Sequence, residues 1–315
     1  MSKDRISIAM TTFNGERYLQ EQLNSLYTQT RVPDEVFVSD DGSEDSTVDI
    51  LKEFQHKYGL KYCINDHSIG VNMNFEHAIR SCSGDYIMIC DQDDIWLPEK
   101  IEKTYNKMKE IEEDKPSVVS SQHWIINGNG EIISKKTNIK KDSLACADTL
   151  LMPAGTSQGC SLMINKKLLD NLKSFPKTED CMYDSYISFI CASIGLKYNM
   201  SNPLMLYRHH DNNVLARISL EKKNISRHLL SLLRELFSPA TIPYKRRAIF
   251  DMIRRDYESI FTNEAKSVYE QAYSYFSSNS RIEQIVCIMK MKDLDIGNRF
   301  RLILGTIIYG ISGKM

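Results

Sequence analysis

At 315 residues, 42% apolar and 26% charged, the chain is long enough for one large globular domain plus an appendage, and its composition excludes a disordered polymer. The formal net charge of −1 hides an asymmetry: residues 1–217 carry 24 Lys and Arg against 31 Asp and Glu, whereas residues 218–315 carry 16 against 10. The longest apolar run, Leu302–Ile311, is roughly half of what a membrane-spanning helix needs, so no bilayer crossing is expected.

Eight cysteines are scattered without CxxC pairs or zinc-ligand spacing, and several sit inside apolar runs. Free buried thiols in a reducing compartment are the expected state. The N-terminal stretch MSKDRISIAM passes directly into strand-like sequence without a long apolar core, which places the expectation in the cytoplasm.

Arg5 to Met10 (RISIAM) predicts a first strand, and Tyr18, Leu19, Gln22, Leu23, Leu26 and Tyr27 follow at helical spacing. Glu35 to Ser39 predicts a second strand, Val48 to Tyr58 a second helix, and Leu60 to Ile64 a third strand. Val71, Phe75, Ala78 and Cys82 mark a third helix before a fourth strand at Asp85 to Cys90. Alternation at this spacing predicts βαβ units in a mostly parallel α/β sheet. A charged helix then runs from Pro98 to about Glu113, and Val118 to Ile126 predicts a strand that enters the turn Asn127-Gly128-Asn129-Gly130. Further strands are expected at Cys160 to Ile164, Lys197 to Met200 and Leu204 to Arg208, with a helix over Tyr183 to Ile194. From about Ile218 the pattern is helical and basic.

In such sheets ligands gather at the carboxyl ends of the strands. Polar clusters fall at three of those ends: Thr11-Thr12-Phe13-Asn14-Gly15, Asp40-Asp41-Gly42-Ser43 and Asp91-Gln92-Asp93-Asp94. Carboxylates at i and i+2 on a loop can turn inward on a hard cation, which prefers oxygen ligands and, as Mg2+ or Mn2+, leaves positions for phosphate oxygens. The plainer reading of DQDD is a solvated acidic turn. Asp40-Asp41 likewise reads either as a turn with a helix cap or as an acceptor for a base N–H or a ribose hydroxyl.

Taken in order, TTFNG, VSDDGSEDST, CDQDDIWLPEK, QGCSLMINKKLL, YDSYISF and YRHHDNNV resemble the family 2 glycosyltransferases of GT-A fold, in particular the rhamnosyltransferase-like branch of bacterial polysaccharide enzymes. The resemblance covers residues 4–217 and implies a catalytic domain over 1–217 with a basic helical region over 218–315. It implies that Thr11, Phe13 and Asn14 lie against the nucleotide base and that Asp41 contacts the pyrimidine. Asp91 and Asp93 match the DxD motif, the first facing the ribose and the second holding Mn2+ or Mg2+ on the diphosphate. Asn74 is a further candidate for the nucleotide pocket, its alternative being a helix-surface residue. Asp184 matches the catalytic base of an inverting transfer, with Glu179-Asp180 as a rival pair, because many relatives carry His-Asp where this chain has Tyr183-Asp184. Within YRHHDNN, Arg208 is suited to phosphate and His210 to the metal, or the histidines satisfy local backbone groups. Pro153 to Ser161 faces the acceptor by the same resemblance, and Trp96 either stacks on a sugar ring or packs in the core.

The implied donor is a dTDP- or UDP-linked sugar, with rhamnose favoured over galactose or glucose. The implied acceptor is a polyprenyl-diphosphate-linked saccharide. Lys222, Lys223, Lys245, Arg246, Arg247, Arg254 and Arg255 interleave with apolar residues, which reads either as peripheral membrane contact or as a helical cap with a solvated basic face. No nucleic-acid motif accompanies that charge. A sugar nucleotidyltransferase lacks its Gly-rich, Arg- and Lys-bearing signature here, and a dinucleotide oxidoreductase lacks GxGxxG after the first strand. A non-catalytic sugar-nucleotide binder remains the alternative outside enzymology, and intact Asp91, Asp93 and Asp184 argue against it.

Overall fold

The computed structural model describes residues 4–137, 142–144, 158–178, 181–210, 251–278 and 280–290. Strand β1 (Ile6–Thr12) pairs in parallel with β2 (Glu35–Asp40) on one side and with β4 (Tyr86–Cys90) on the other, and β2 pairs in parallel with β3 (Lys61–Ile64). Helices α1 (Leu19–Tyr27), α2 (Thr47–Tyr58) and α3 (Val71–Ser81) form the intervening crossovers, and α2 ends on Gly59 at φ 72°, a left-handed position that glycine occupies without strain.

Beyond β4 the sheet becomes mixed. After the short β5 (Ile95–Trp96) and helix α4 (Lys100–Ile111) come β6 (Ser117–Ile126), β7 (Ile132–Ser134), β8 (Ser143–Leu144), β9 (Leu162–Asn165), α5 (Lys166–Asn171), α6 (Tyr183–Ile194) and β10 (Leu196–Arg208). The spatial order is β3-β2-β1-β4-β9-β6-β10-β5, with β7 on β6 and β8 on β10. Strand β9 runs antiparallel between β4 and β6, so its start lies beside the carboxyl end of β4. The two strands expected at Lys197 to Met200 and Leu204 to Arg208 are one strand, interrupted by register shifts around Pro203, where a residue without an N–H is tolerated.

Period-two alternation divides the sheet's side chains. Ile6, Ile8, Met10, Val36, Val38, Met88 and Cys90 share one core with Leu19, Leu23 and Leu26 of α1, Leu51 and Phe54 of α2, and Ile101 and Met108 of α4. The alternate residues turn to the face on which α3 packs, where Asn74 donates to the Ser39 carbonyl at 3.0 Å. The described cysteines are free, and Cys82, Cys90, Cys160, Cys181 and Cys191 are buried.

The chain divides into two compact units, the second taking in residues 146–156, 192–194 and 210–315. In that second unit residues 251–257 are helical, followed by α8 (Asn263–Ser277), which packs on α9 (Arg281–Lys290); the 251–257 helix is α7. Arg254 pairs with Glu258 at 3.2 Å, and Arg255 with Asp256 at 2.9 Å. The expected boundary at 217/218, the other cations named above and the run Leu302–Ile311 lie outside the described residues, as does Cys146. Among the described residues no helix is long and apolar enough to cross a membrane.

Candidate active site

The three polar loops do converge at the carboxyl ends of β1, β2 and β4. Thr12 Oγ donates to Asp40 at 2.7 Å, and Asp40 also accepts from the Ser43 N–H and hydroxyl. Asn14, at φ 46°, donates its N–H to Ser43 Oγ and accepts from the Glu44 N–H through its side chain, each at 2.9 Å. Thr11 is half-buried beside it, and the Phe13 ring is 51% exposed, free of the core and available to a flat ligand.

Asp41 is buried and accepts from Ser68 Oγ (2.6 Å), the Ile69 N–H (2.9 Å), Asn65 Nδ2 (3.1 Å) and the Gly70 N–H (3.3 Å). Burial pushes its carboxyl up, but these donors outweigh it and hold the group below the usual range. Asn74 is buried rather than at a helix surface, with its amide committed to Asn65 and to the Ser39 carbonyl. The two residues thus organise the loop between β3 and α3.

The acidic loop after β4 is the electrostatic centre. Asp94 is fully buried; its Oδ1 accepts from the Arg208 N–H at 3.0 Å, while Oδ2 has no hydrogen-bond partner. Asp91, Asp94 and the Cys160 thiol bring one ligand atom each within 4.8 Å of one another. Burial, then the repulsion of Asp93, raises the Asp91 and Asp94 carboxyls above the usual range, and Asp184 adds to the effect at Asp91. Lys100 sits beneath this group, fully buried, donating to the Cys160 carbonyl at 2.7 Å and lying 4.3 Å from the centre of the Trp96 ring. Trp96 is a core residue, 2% exposed.

Arg208 belongs to the same loop's support. It is 1% exposed, donates Nε–H to the Asp93 carbonyl at 2.7 Å, pairs with Glu21 at 2.6 Å and lies 4.5 Å from the centre of the Tyr18 ring. Pairing of Trp96 with Met205 and of Ile95 with Leu206 delivers it there. His210 is half-buried and falls in the second unit, and Glu179 and Asp180 lie outside the described residues, as do residues 153–157 of the Gly-rich stretch.

Asp184 occupies the first turn of α6. Asn72 fixes that turn by accepting from the Tyr183 N–H at 2.8 Å and donating to the carbonyls of Pro176, Thr178 and Cys181. Burial raises the Asp184 carboxyl, opposed by bonds from Ser185 and the Gly159 N–H. A carboxylate with raised proton affinity is a competent general base.

The donor set suits a divalent cation. Half-buried Asp91 and buried Asp94, the latter with its Oδ2 unpartnered, form a hard-oxygen site whose mutual repulsion a cation would relieve, and Asp93 adds a third acid on the same loop. Local pattern does not reveal the roles of Cys160, Lys100, Asn72 or Gln92, since their partners lie roughly sixty or more residues away.

Residues 7–173 match the family model described as glycosyl transferase family 2. The chain belongs to that family. Over 229 residues it is 32% identical to the dTDP-rhamnosyl transferase RfbG of Shigella flexneri, covering 68% of this chain and 76% of that one. Among solved structures it is similar to S. aureus TarS 1-349 in complex with UDP-GlcNAc, with a TM-score of 0.61 at 18% identity over 96% of this chain and 79% of that one. A mannosyltransferase from Pyrobaculum calidifontis in complex with GDP-Man and Mn2+ aligns at a TM-score of 0.52 and 15% identity, over 100% and 89% of the two chains. The family 2 glycosyltransferase thus has the GT-A architecture that its motifs imply, and it is a transferase of sugars.

Proposed function

We propose that this glycosyltransferase moves a sugar, with inversion, from a dTDP- or UDP-linked donor to a saccharide acceptor, with rhamnose favoured and a polyprenyl-diphosphate-linked acceptor of cell-surface polysaccharide synthesis as the expected recipient. The observation that carries the reading is that one turn, Gly159–Ser161, meets two differently supported acid groups: the Cys160 thiol lies with Asp91 and Asp94, and the Gly159 N–H donates to Asp184 on α6. One acid group suits a cation and diphosphate, the other the acceptor hydroxyl. The relative of known donor, RfbG, supports dTDP-rhamnose, while TarS with UDP-GlcNAc keeps UDP-hexoses in view.

Asp91, Asp93 and Asp94 would hold Mn2+ or Mg2+, whose charge would balance the departing nucleoside diphosphate. His210 remains part of that proposal on the strength of its motif. Asp184 would take the proton of the attacking hydroxyl, Asp41 would present the loop around Asn65–Gly70 to the base, and Thr11, Phe13 and Asn14 would line it. Peripheral membrane contact through residues 218–315 follows from the acceptor's chemistry and from their basic charge.

The test is thermal stabilisation by dTDP-, UDP- and GDP-sugars with Mn2+ and with EDTA, because a ligand selective for the folded state raises Tm. A Mn2+-dependent rise with dTDP-rhamnose is expected. A rise that survives EDTA would remove the metal, and a rise with a UDP-hexose alone would replace the donor.

A further inference from the structure

The loop between β1 and α1 is fastened on one flank to the loop after β2, through Asn14 to Ser43 and Glu44, and to the start of α2, through the Gly15 N–H to Thr47 Oγ at 2.8 Å. On its other flank it meets the acidic loop, and there Gln92 makes the connection. Gln92 Oε1 accepts from the Phe13 N–H at 2.9 Å, and Gln92 Nε2 donates to the Phe13 carbonyl at 3.1 Å. An amide that pairs with both backbone groups of one residue fixes the orientation of that residue as well as its distance.

Gly15 gives the amide its place. A Cβ on Gly15 would lie 2.2 Å from Gln92 Oε1 and 2.7 Å from Cδ, so the amide lies flat against a bare Cα. Nothing about the tip of the loop enforces its shape by burial: Phe13 is 51% exposed and Asn14 is exposed at φ 46°. Its neighbour Asp91 lies with Asp94 and the Cys160 thiol, whereas Gln92 itself is uncharged and reaches the opposite loop.

We propose that Gln92 is a positioning residue for donor binding, its amide locking the backbone at Phe13 to the acidic loop so that the two sides of the crevice hold a fixed spacing before a nucleoside diphosphate arrives. The inference rests on the reading of that crevice as the nucleotide-sugar site. Ordering the loop in advance removes a cost from binding, and it leaves the chemistry of the bound donor unchanged.

Titration calorimetry of dTDP and UDP with Mn2+, alongside steady-state transfer, tests this in the full chain. Gln92→Ala is expected to weaken nucleoside diphosphate binding about tenfold and raise the donor KM to match, with kcat held within about threefold. Gly15→Ala, whose methyl must push the amide aside, is expected to give the same change. The double variant should then bind no more weakly than either single, whereas independent effects would multiply to about a hundredfold. Gln92→Glu keeps the acceptor for the Phe13 N–H, loses the donor, and should fall between; with Gly15→Ala it carries the test if Gln92→Ala does not fold. Variants that bind like a tightly binding parent, or multiplicative losses, overturn the role of Gln92 alone. A parent that binds neither nucleotide overturns the crevice reading and this inference with it.

Discussion

Gly159 and Tyr183 approach so closely that no side chain fits between them: a Cβ on Gly159 would lie 1.9 Å from the Tyr183 hydroxyl oxygen. Tyr183 has little room to retreat, since its ring stacks on Phe75 at 3.9 Å between centroids and its N–H is held by Asn72. The same glycine donates its N–H to Asp184, so the turn Gly159–Ser161 and the first turn of α6 are mutually positioned. Gly159→Ala is therefore expected to lower kcat about 100-fold through displacement of Asp184. Nucleoside diphosphate affinity, measured by calorimetry, should change far less; an unchanged kcat would separate Asp184 from this contact.

The two kinds of acid should fail differently. Asp184→Asn is expected to keep donor binding and lose about a thousandfold in transfer, the range for removal of a general base. Asp93→Ala is expected to lose Mn2+-dependent donor binding. Full transfer by Asp184→Asn would move the base to Glu179 or Asp180, and unchanged binding by Asp93→Ala would remove it from the metal set.

Lys100 is a buried cation beside buried Asp94 and half-buried Asp91, and burial lowers its proton affinity against the pull of its neighbours. Lys100→Met removes the donor to the Cys160 carbonyl and the counter-charge to Asp91 and Asp94 together. A loss of about 3 kcal/mol in urea unfolding is expected, because breaking one side of a buried charge arrangement leaves the other uncompensated. A loss below about 1 kcal/mol would mean that the acids are neutral without it.

Glu35 provides the pH test away from the site. Burial would raise it, but bonds from Lys61, Ser7 and Ser83 bring it down to about 2 from an ordinary 4.5. A depressed carboxyl contributes stability above its unfolded value, and that contribution is lost as pH falls from about 4.5 through about 2. Glu35→Gln should cost about 2 kcal/mol at pH 7 and progressively less toward pH 2, read from urea midpoints across that range. An equal cost at both ends would assign the effect to packing.

Local periodicity accounts for what the sequence made legible. Strands alternate apolar residues at period two and helices at 3.6, so β1 to β4 and α1 to α4 could be placed within a few residues, and the polar runs Thr11–Gly15, Asp40–Ser43 and Asp91–Asp94 fell at strand ends by the same count. Periodicity carries no information about strand order. The insertion of β9 between β4 and β6, running against both, could not be read from its apolar run. That insertion brings Cys160 to the acidic loop and the Gly159 turn to Asp184.

Residue chemistry by itself determined that this chain carries a carboxylate-rich crevice on an α/β sheet, because acids crowded after a buried strand need a cation or a ligand to relieve them. Tertiary structure decided which polar groups are already spent. Arg208 has the right chemistry for phosphate, yet its guanidinium is buried against the Asp93 carbonyl, Glu21 and Tyr18; Asp41 and Asn74 could meet a base, yet they hold the loop around Asn65. A hydrogen-bonding side chain has a fixed number of donors and acceptors, and only the folded chain shows whether another part of the protein has taken them.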